Sequence, residues 1–166
     1  MNPQHGEGFA GGGAEAAHVN TVLGLRDGPV GTAWATALAT PSAGHVPFVV
    51  VHSPNLPVAP FTLFVNKSAI ADDRHGALTW GAAQAGIAAG VVDALRVGLF
   101  DRDEPIAHLA LIAAVWVNPQ ARSEELVYAN NRNAVLEALT MGHIGGPDLE
   151  ALLAVGEPTN PYFRQT

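Results

Sequence analysis

Cysteine is absent from the 166 residues, which excludes disulfides, thiolate catalysis and Cys-ligated zinc or iron–sulfur centres. Charge is scarce: 14% of residues are Asp, Glu, Lys or Arg, against about a quarter in ordinary domains. Cationic charge is scarcer still. Eight basic residues stand against 15 acidic ones, a net of −7, so the chain lacks the electrostatic footprint of a nucleic-acid or anionic-membrane binder. Seven of those eight are arginine, and Lys67 is the sole lysine. Long apolar runs are also missing. The longest, Ile106 to Val117, contains His108 and falls well short of the roughly 20 residues a spanning helix needs, so it reads as a buried strand. The first 15 residues have neither a basic nor an apolar region of a secretory signal, and the expected setting is the cytoplasm.

What is present is apolar: 48% of residues are hydrophobic, enough for one folded domain over 1–166 and too many for a disordered chain. Ala16 to Leu25 alternates, with His18, Asn20 and Val22 on one face and Val19, Thr21 and Leu23 on the other, the pattern of a strand with one polar face. Asp27-Gly28-Pro29 turns into a helix carrying Val30, Ala33, Trp34 and Ala37, which stops at Pro41-Ser42-Ala43-Gly44. Val46 to His52 and Phe61 to Asn66 read as strands, separated by a proline-stiffened loop, and Lys67 lies at the exit of the second. A small-residue helix is expected from Gly81 to about Val97 with Gln84 in its first turn, and Asp72-Asp73-Arg74 reads as a loop before it. After an acidic loop and the 106–117 strand, Asn118-Pro119 leads into a helix that ends near Met141 at Gly142. The order β-α-β-β-α-β-α indicates an α+β or α/β sandwich of one sheet and one helical layer.

The ends are expected to be irregular. Gly6-Glu7-Gly8-Phe9-Ala10-Gly11 matches the dinucleotide fingerprint GxGxxG, but five residues cannot supply the strand that must precede it. The expectation is a flexible N-terminal segment, 1–15, and an extended tail, 156–166.

The seven histidines have no metal-site spacing: HExxH, HxxEH and HxH are all absent. His45 and His75 read as solvated turn residues, and His52 and His108 as packing residues. His18 differs because it shares a strand face with Asn20, and imidazole exchanges protons near neutral pH. Lys67, the lone lysine, is a candidate anchor for an anionic or carbonyl group. With Gln84 these residues form a candidate site, although paired polar residues such as His18 and Asn20 are ordinary on an exposed sheet face.

Several segments together resemble the formaldehyde-activating enzyme family, the tetrahydromethanopterin hydro-lyases: Gly6-Glu7, Ala17-His18-Val19, Gly24-Leu25-Arg26, Ser53-Pro54-Asn55-Leu56-Pro57, Thr62-Leu63-Phe64-Val65-Asn66-Lys67, Gly81-Ala82-Ala83-Gln84 and the terminal Asn160-Pro161-Tyr162-Phe163. The resemblance implies an α+β two-layer sandwich like the second domain of ribosomal protein S5, assembled as a homopentamer with sites between subunits. It implies condensation of formaldehyde with tetrahydromethanopterin, the pterin being a co-substrate and no cofactor being covalently bound. It assigns the general acid to His18 and pterin contacts to Asn20, Val49, Lys67, Ala69 and Gln84. An aspartate is expected at Asn20, a leucine at Val49 and a threonine at Ala69. Loss of a carboxylate and a hydroxyl there leaves two alternatives open: a non-catalytic pterin- or formaldehyde-binding carrier or sensor, and the same chemistry on another reduced pterin.

Overall fold

Period-two alternation in the chain becomes one mixed sheet in the computed structural model, which describes residues 1–100, 104–146 and 148–160. Strands β1 (Gln4–Ala10), β2 (Ala17–Leu25), β3 (Phe48–Val49), β6 (Phe61–Asn66) and β7 (Leu109–Trp116) form it in the order β1-β2-β7-β6-β3. β2 runs antiparallel to both β1 and β7, β6 lies parallel to β7, and β3 closes the edge antiparallel to β6. A small separate ribbon pairs β4 (Val51–Ser53) with β5 (Leu56–Pro57).

Helices cover the inner sheet face. There Val19, Phe64, Leu111, Ala113 and Val115 pack against Ile87 and Val91 of α3 (Gln84–Arg96) and Val127 and Val135 of α4 (Glu124–Ile144). Each of these side chains is almost fully buried, worth roughly 1.5–3 kcal/mol apiece for the larger ones. Helix α1 (Pro29–Ala39) crosses one end of the opposite face, where Gly24 leaves room for Val30: a Cβ on Gly24 would sit 2.6 Å from Val30 Cγ2. His18 and Asn20, both half-buried, lie on the rest of that face.

The observed order differs from the sequence expectation at several points. Residues 4–10 are not a flexible segment but strand β1, paired with β2 along its whole length from Gln4↔Leu23 to Ala10↔Ala17. Its glycines serve close packing: a Cβ on Gly6 would lie 1.8 Å from the Ala138 carbonyl oxygen, and one on Gly8 2.1 Å from that of Ala134. The GxGxxG stretch is therefore a sheet edge pressed onto α4.

The expected 46–52 strand divides at Val50, whose N–H donates to the Thr62 carbonyl at 2.9 Å while its own carbonyl accepts from Val58 N–H at 3.2 Å. At this point the chain leaves β6 and turns to pair with β5. The helix expected from Gly81 begins earlier, at Asp73. Asp72 caps α2 (Asp73–Ala77) by accepting the His75 N–H at 2.7 Å, and a π-helical turn, Leu78–Ala83, joins α2 to α3. Asp72-Asp73-Arg74 is thus a helix start. Strand β7 is preceded by a short 3₁₀ turn, Ile106–His108.

Helix α4 starts on the Ser123 cap and runs past Met141 to Ile144, ending at Gly145, whose φ of 126° suits glycine. A further helix, α5 (Leu149–Ala154), was not anticipated; Gly156–Asn160 beyond it are exposed, and the rest of the expected tail, 161–166, lies outside the described residues, as does 101–103 of the acidic loop.

Histidine placement is also corrected. His75 is fully buried, its Nδ1 accepting from Ala71 N–H at 3.1 Å and its Nε2 donating to the Val117 carbonyl at 3.0 Å. His52 and His108 are exposed, because β4 sits on the outer ribbon and β7 begins only after His108.

Candidate active site

Pairing of β1 with β2 sets Glu7 opposite Asn20 and Phe9 opposite His18 on the sheet face turned away from α3 and α4. The neighbouring strand adds Ala114 beside Asn20 and Trp116 beside His18. Lys67 arrives from the end of β6: its backbone N–H donates to the Val115 carbonyl at 2.7 Å, extending the parallel ladder by one rung. The buried Asn66 holds this exit in place, its Nδ2 donating to the carbonyls of Gly44 (2.7 Å) and Ser68 (2.8 Å).

Side chains then form a continuous chain of hydrogen bonds. Lys67 Nζ donates to Asn20 Oδ1 at 2.6 Å, Asn20 Nδ2 donates to Glu7 Oε1 at 3.3 Å, and His18 Nε2 meets the same Glu7 oxygen at 2.8 Å. The Phe9 ring stacks on the His18 ring, centroids 4.0 Å apart and planes 14° off parallel.

Electrostatics follow from this geometry. Glu7 is held below the ordinary carboxylate range, chiefly by the hydrogen bond from His18. Burial pushes His18 below the usual imidazole value against the pull of Glu7, and the Lys67 charge adds to the lowering. Lys67 is pushed down to about 8 by burial, with the Glu7 charge opposing. The cluster therefore sets a histidine and an amine, both able to give or take a proton, around a carboxylate that stays ionised and accepts their hydrogen bonds.

The sequence-derived candidates fall into two groups. His18, Asn20 and Lys67 converge directly. Val49 and Gln84 meet elsewhere, lining a groove of about 390 Å³ with Val46, Phe48, Val51 and Trp80. Three strand positions separate β2 from β3 in the sheet order, on the order of 15 Å at ordinary spacing. Gln84 Oε1 accepts from the Val51 N–H at 2.9 Å, fixing the amide so that its NH₂ end remains to donate. Ala69, exposed, lies two residues beyond Lys67, close against Gly44.

Three contributors escaped the sequence reading. Glu7 and Phe9 alternate with Gly6 and Gly8, a period-two signal that the glycines obscured. Trp80 is half exposed at the groove because the π-helical turn inserts an extra residue ahead of α3, a feature often found at functional sites. Among the described residues no cluster of three or more His, Cys, Asp or Glu could hold a metal ion, and no helix is long and apolar enough to cross a membrane.

A mixed sheet packed on one face by helices, with a His–Glu–Asn–Lys cluster on the other, defines an α+β domain with a hydrogen-bonded group of titratable side chains on its sheet. Comparison with known proteins is specific. The family model described as formaldehyde-activating enzyme matches residues 5–162, and the chain belongs to that family. A 5,6,7,8-tetrahydromethanopterin hydro-lyase of Methanosarcina barkeri is 35% identical over 158 residues, covering 95% of this chain and 88% of that protein. Bifunctional Fae/Hps enzymes of Methanosarcina mazei and Methanococcoides burtonii are 35% and 38% identical over 150 and 148 residues, about 90% of this chain. The chain spans only 38% and 37% of the length of those two bifunctional relatives.

Proposed function

We propose that this domain is a hydro-lyase condensing formaldehyde with tetrahydromethanopterin to the methylene derivative and water, in one-carbon metabolism and formaldehyde detoxification. The observation that carries the reading is the meeting of His18 with the chain's sole lysine through Asn20 and Glu7. A pterin amine adds to formaldehyde to give a carbinolamine. Its hydroxyl takes a proton from the His18 imidazolium and leaves as water, the C–O bond breaks, and the second pterin nitrogen closes onto the iminium carbon with loss of a proton. General acid catalysis of the water loss supplies about 10²–10⁴-fold. Holding two substrates together contributes comparably, since the uncatalysed condensation is already facile.

Lys67 and Asn20 serve as polar pterin contacts, and Val49, Gln84 and Ala69 as the remaining wall. The separation of Val49 and Gln84 from His18 within one chain supports a site completed between copies of a homo-oligomer, the pentamer that the resemblance implies. The test is to mix the protein with formaldehyde and tetrahydromethanopterin and follow methylene product above the spontaneous rate, with light scattering for the assembly. Acceleration that His18→Ala abolishes supports the reading. Pterin binding without acceleration converts it to a carrier, and acceleration only with a different reduced pterin reassigns the substrate.

A further inference from the structure

We propose that Glu7 is a positioning residue for His18, selecting which imidazole nitrogen faces the reacting groups. Three observations converge on this. Glu7 Oε1 lies 2.8 Å from His18 Nε2, and an ionised carboxylate can only accept, so the proton of neutral His18 resides on Nε2. The same oxygen accepts from Asn20 Nδ2, whose Oδ1 is occupied by Lys67, so the carboxylate is itself held from the far side. Phe9, two residues along β1, lies flat against the imidazole and fixes its plane. The histidine is thereby clamped by one edge strand in rotation and in tilt.

The consequence lies at Nδ1. That atom has no hydrogen-bond partner among the described residues, and it is the nitrogen left for exchange with a ligand. In the imidazolium it carries the transferable proton; once that proton has passed to the departing hydroxyl, His18 is the neutral Nε2–H form that Glu7 already holds. No tautomer change is then needed between turnovers. Glu7 touches neither substrate nor leaving group in this arrangement and acts through His18 alone. Its charge also favours the imidazolium, offsetting the burial that opposes it.

The catalytic part of this inference rests on the hydro-lyase reading, whereas the tautomer does not, and the experiment separates them. Long-range ¹H–¹⁵N correlation spectra of the full chain identify the protonated nitrogen of His18, assigned by its loss in His18→Gln, across a pH series. The expected wild-type result is the Nε2–H form. Glu7→Ala should give a mixed tautomer, and both Glu7→Gln and Glu7→Ala should move the His18 midpoint to lower pH. In turnover, Glu7→Gln should lower kcat about tenfold or more, bounded by the 10²–10⁴-fold that the acid supplies, with KM for the pterin nearly unchanged and the alkaline limb of the pH profile displaced to lower pH. A purely structural role would shift the melting temperature and leave the tautomer, the midpoint and the limb in place. A wild-type Nδ1–H form, or an unmoved midpoint in both variants, overturns the proposal even if the protein turns over. Expected spectra in a protein without turnover uphold the positioning role and remove the hydro-lyase reading.

Discussion

Lys67 and Asn20 meet at 2.6 Å, Nζ donating to Oδ1, across 47 positions of chain. The contact joins the exit of one strand to the polar face of another, two places away in the sheet. It sets the environment of the only lysine in the protein, and its energetics are open to measurement.

Replacing that lysine should stabilise the fold. Lys67 titrates at about 8 in the folded chain against 10.5 for an ordinary lysine, so the unfolded chain holds the proton more tightly. The folded state therefore bears a burial cost below pH 8, which is relieved as pH rises from about 8 to about 10.5. Lys67→Met should raise the urea midpoint at pH 7 by an amount corresponding to about 1 kcal/mol, since solvent screens a half-buried group. The advantage over wild type should shrink between pH 8 and 10, while pterin affinity, read by calorimetry, falls. A variant less stable than wild type at pH 7 would show that the bond to Asn20 outweighs the burial cost.

Asn20→Asp should alter Lys67 in the opposite direction. A carboxylate in place of the amide oxygen favours the ammonium and raises the lysine toward its ordinary value. Reductive methylation with formaldehyde and cyanoborohydride reads this cleanly, because Lys67 and the N-terminus are the only primary amines. Mass spectrometry should find Lys67 methylated readily at pH 7.5 in the wild type and several-fold more slowly in the variant, each unit of upward shift removing roughly tenfold of free amine. Equal rates would mean that the amide and the carboxylate leave Lys67 in the same environment.

Gly8→Ala should loosen the strand that carries Glu7. The added methyl would lie 2.1 Å from the Ala134 carbonyl oxygen, backbone against backbone, so β1 and α4 must separate. A loss of about 3 kcal/mol, at the upper end for overpacking, is expected in urea unfolding. The His18 titration should change with it, since Glu7 and Phe9 ride on the same strand. Stability within 0.5 kcal/mol of wild type would contradict the tight β1–α4 packing.

Asp93→Asn should cost stability only where the carboxylate is charged. Asp93 of α3 pairs with Arg132 of α4 and with Arg96, and the Arg132 hydrogen bond holds it below the usual carboxylate value. A depressed folded value contributes stability above the unfolded pKa and loses it as pH falls through the folded one. The expected deficit at pH 7 is about 0.5–1 kcal/mol, shrinking in high salt and vanishing in acid. A deficit that persists at pH 2 would assign the effect to packing.

The sequence by itself determined the local pieces. Alternation placed His18 and Asn20 on one face of a strand, β-branched and aromatic runs marked 61–66 as a strand with Lys67 at its exit, and proline and glycine marked the start of α1 and the stops around it. These signals were legible because they depend on residues adjacent in the chain. Family membership was legible for the same reason, carried by contiguous stretches such as Ser53 to Pro57 and Thr62 to Lys67. Glycine misled at 6–11: it lowers strand propensity locally, and its purpose, admitting the α4 backbone, lies more than 120 residues away. His75 misled likewise, since its partners at Ala71 and Val117 come together only in the fold.

Tertiary structure alone decided which polar groups meet. Sheet order places β6 two strands from β2, which brings Lys67 onto Asn20, and β1 register places Phe9 opposite His18 and Glu7 opposite Asn20, from where the carboxylate reaches the imidazole nitrogen. The same order sends Val49 and Gln84 to a separate groove, although sequence resemblance lists them with His18. Strand neighbours are chosen by non-local burial of one apolar face, and a period-two pattern names the face without naming the neighbour.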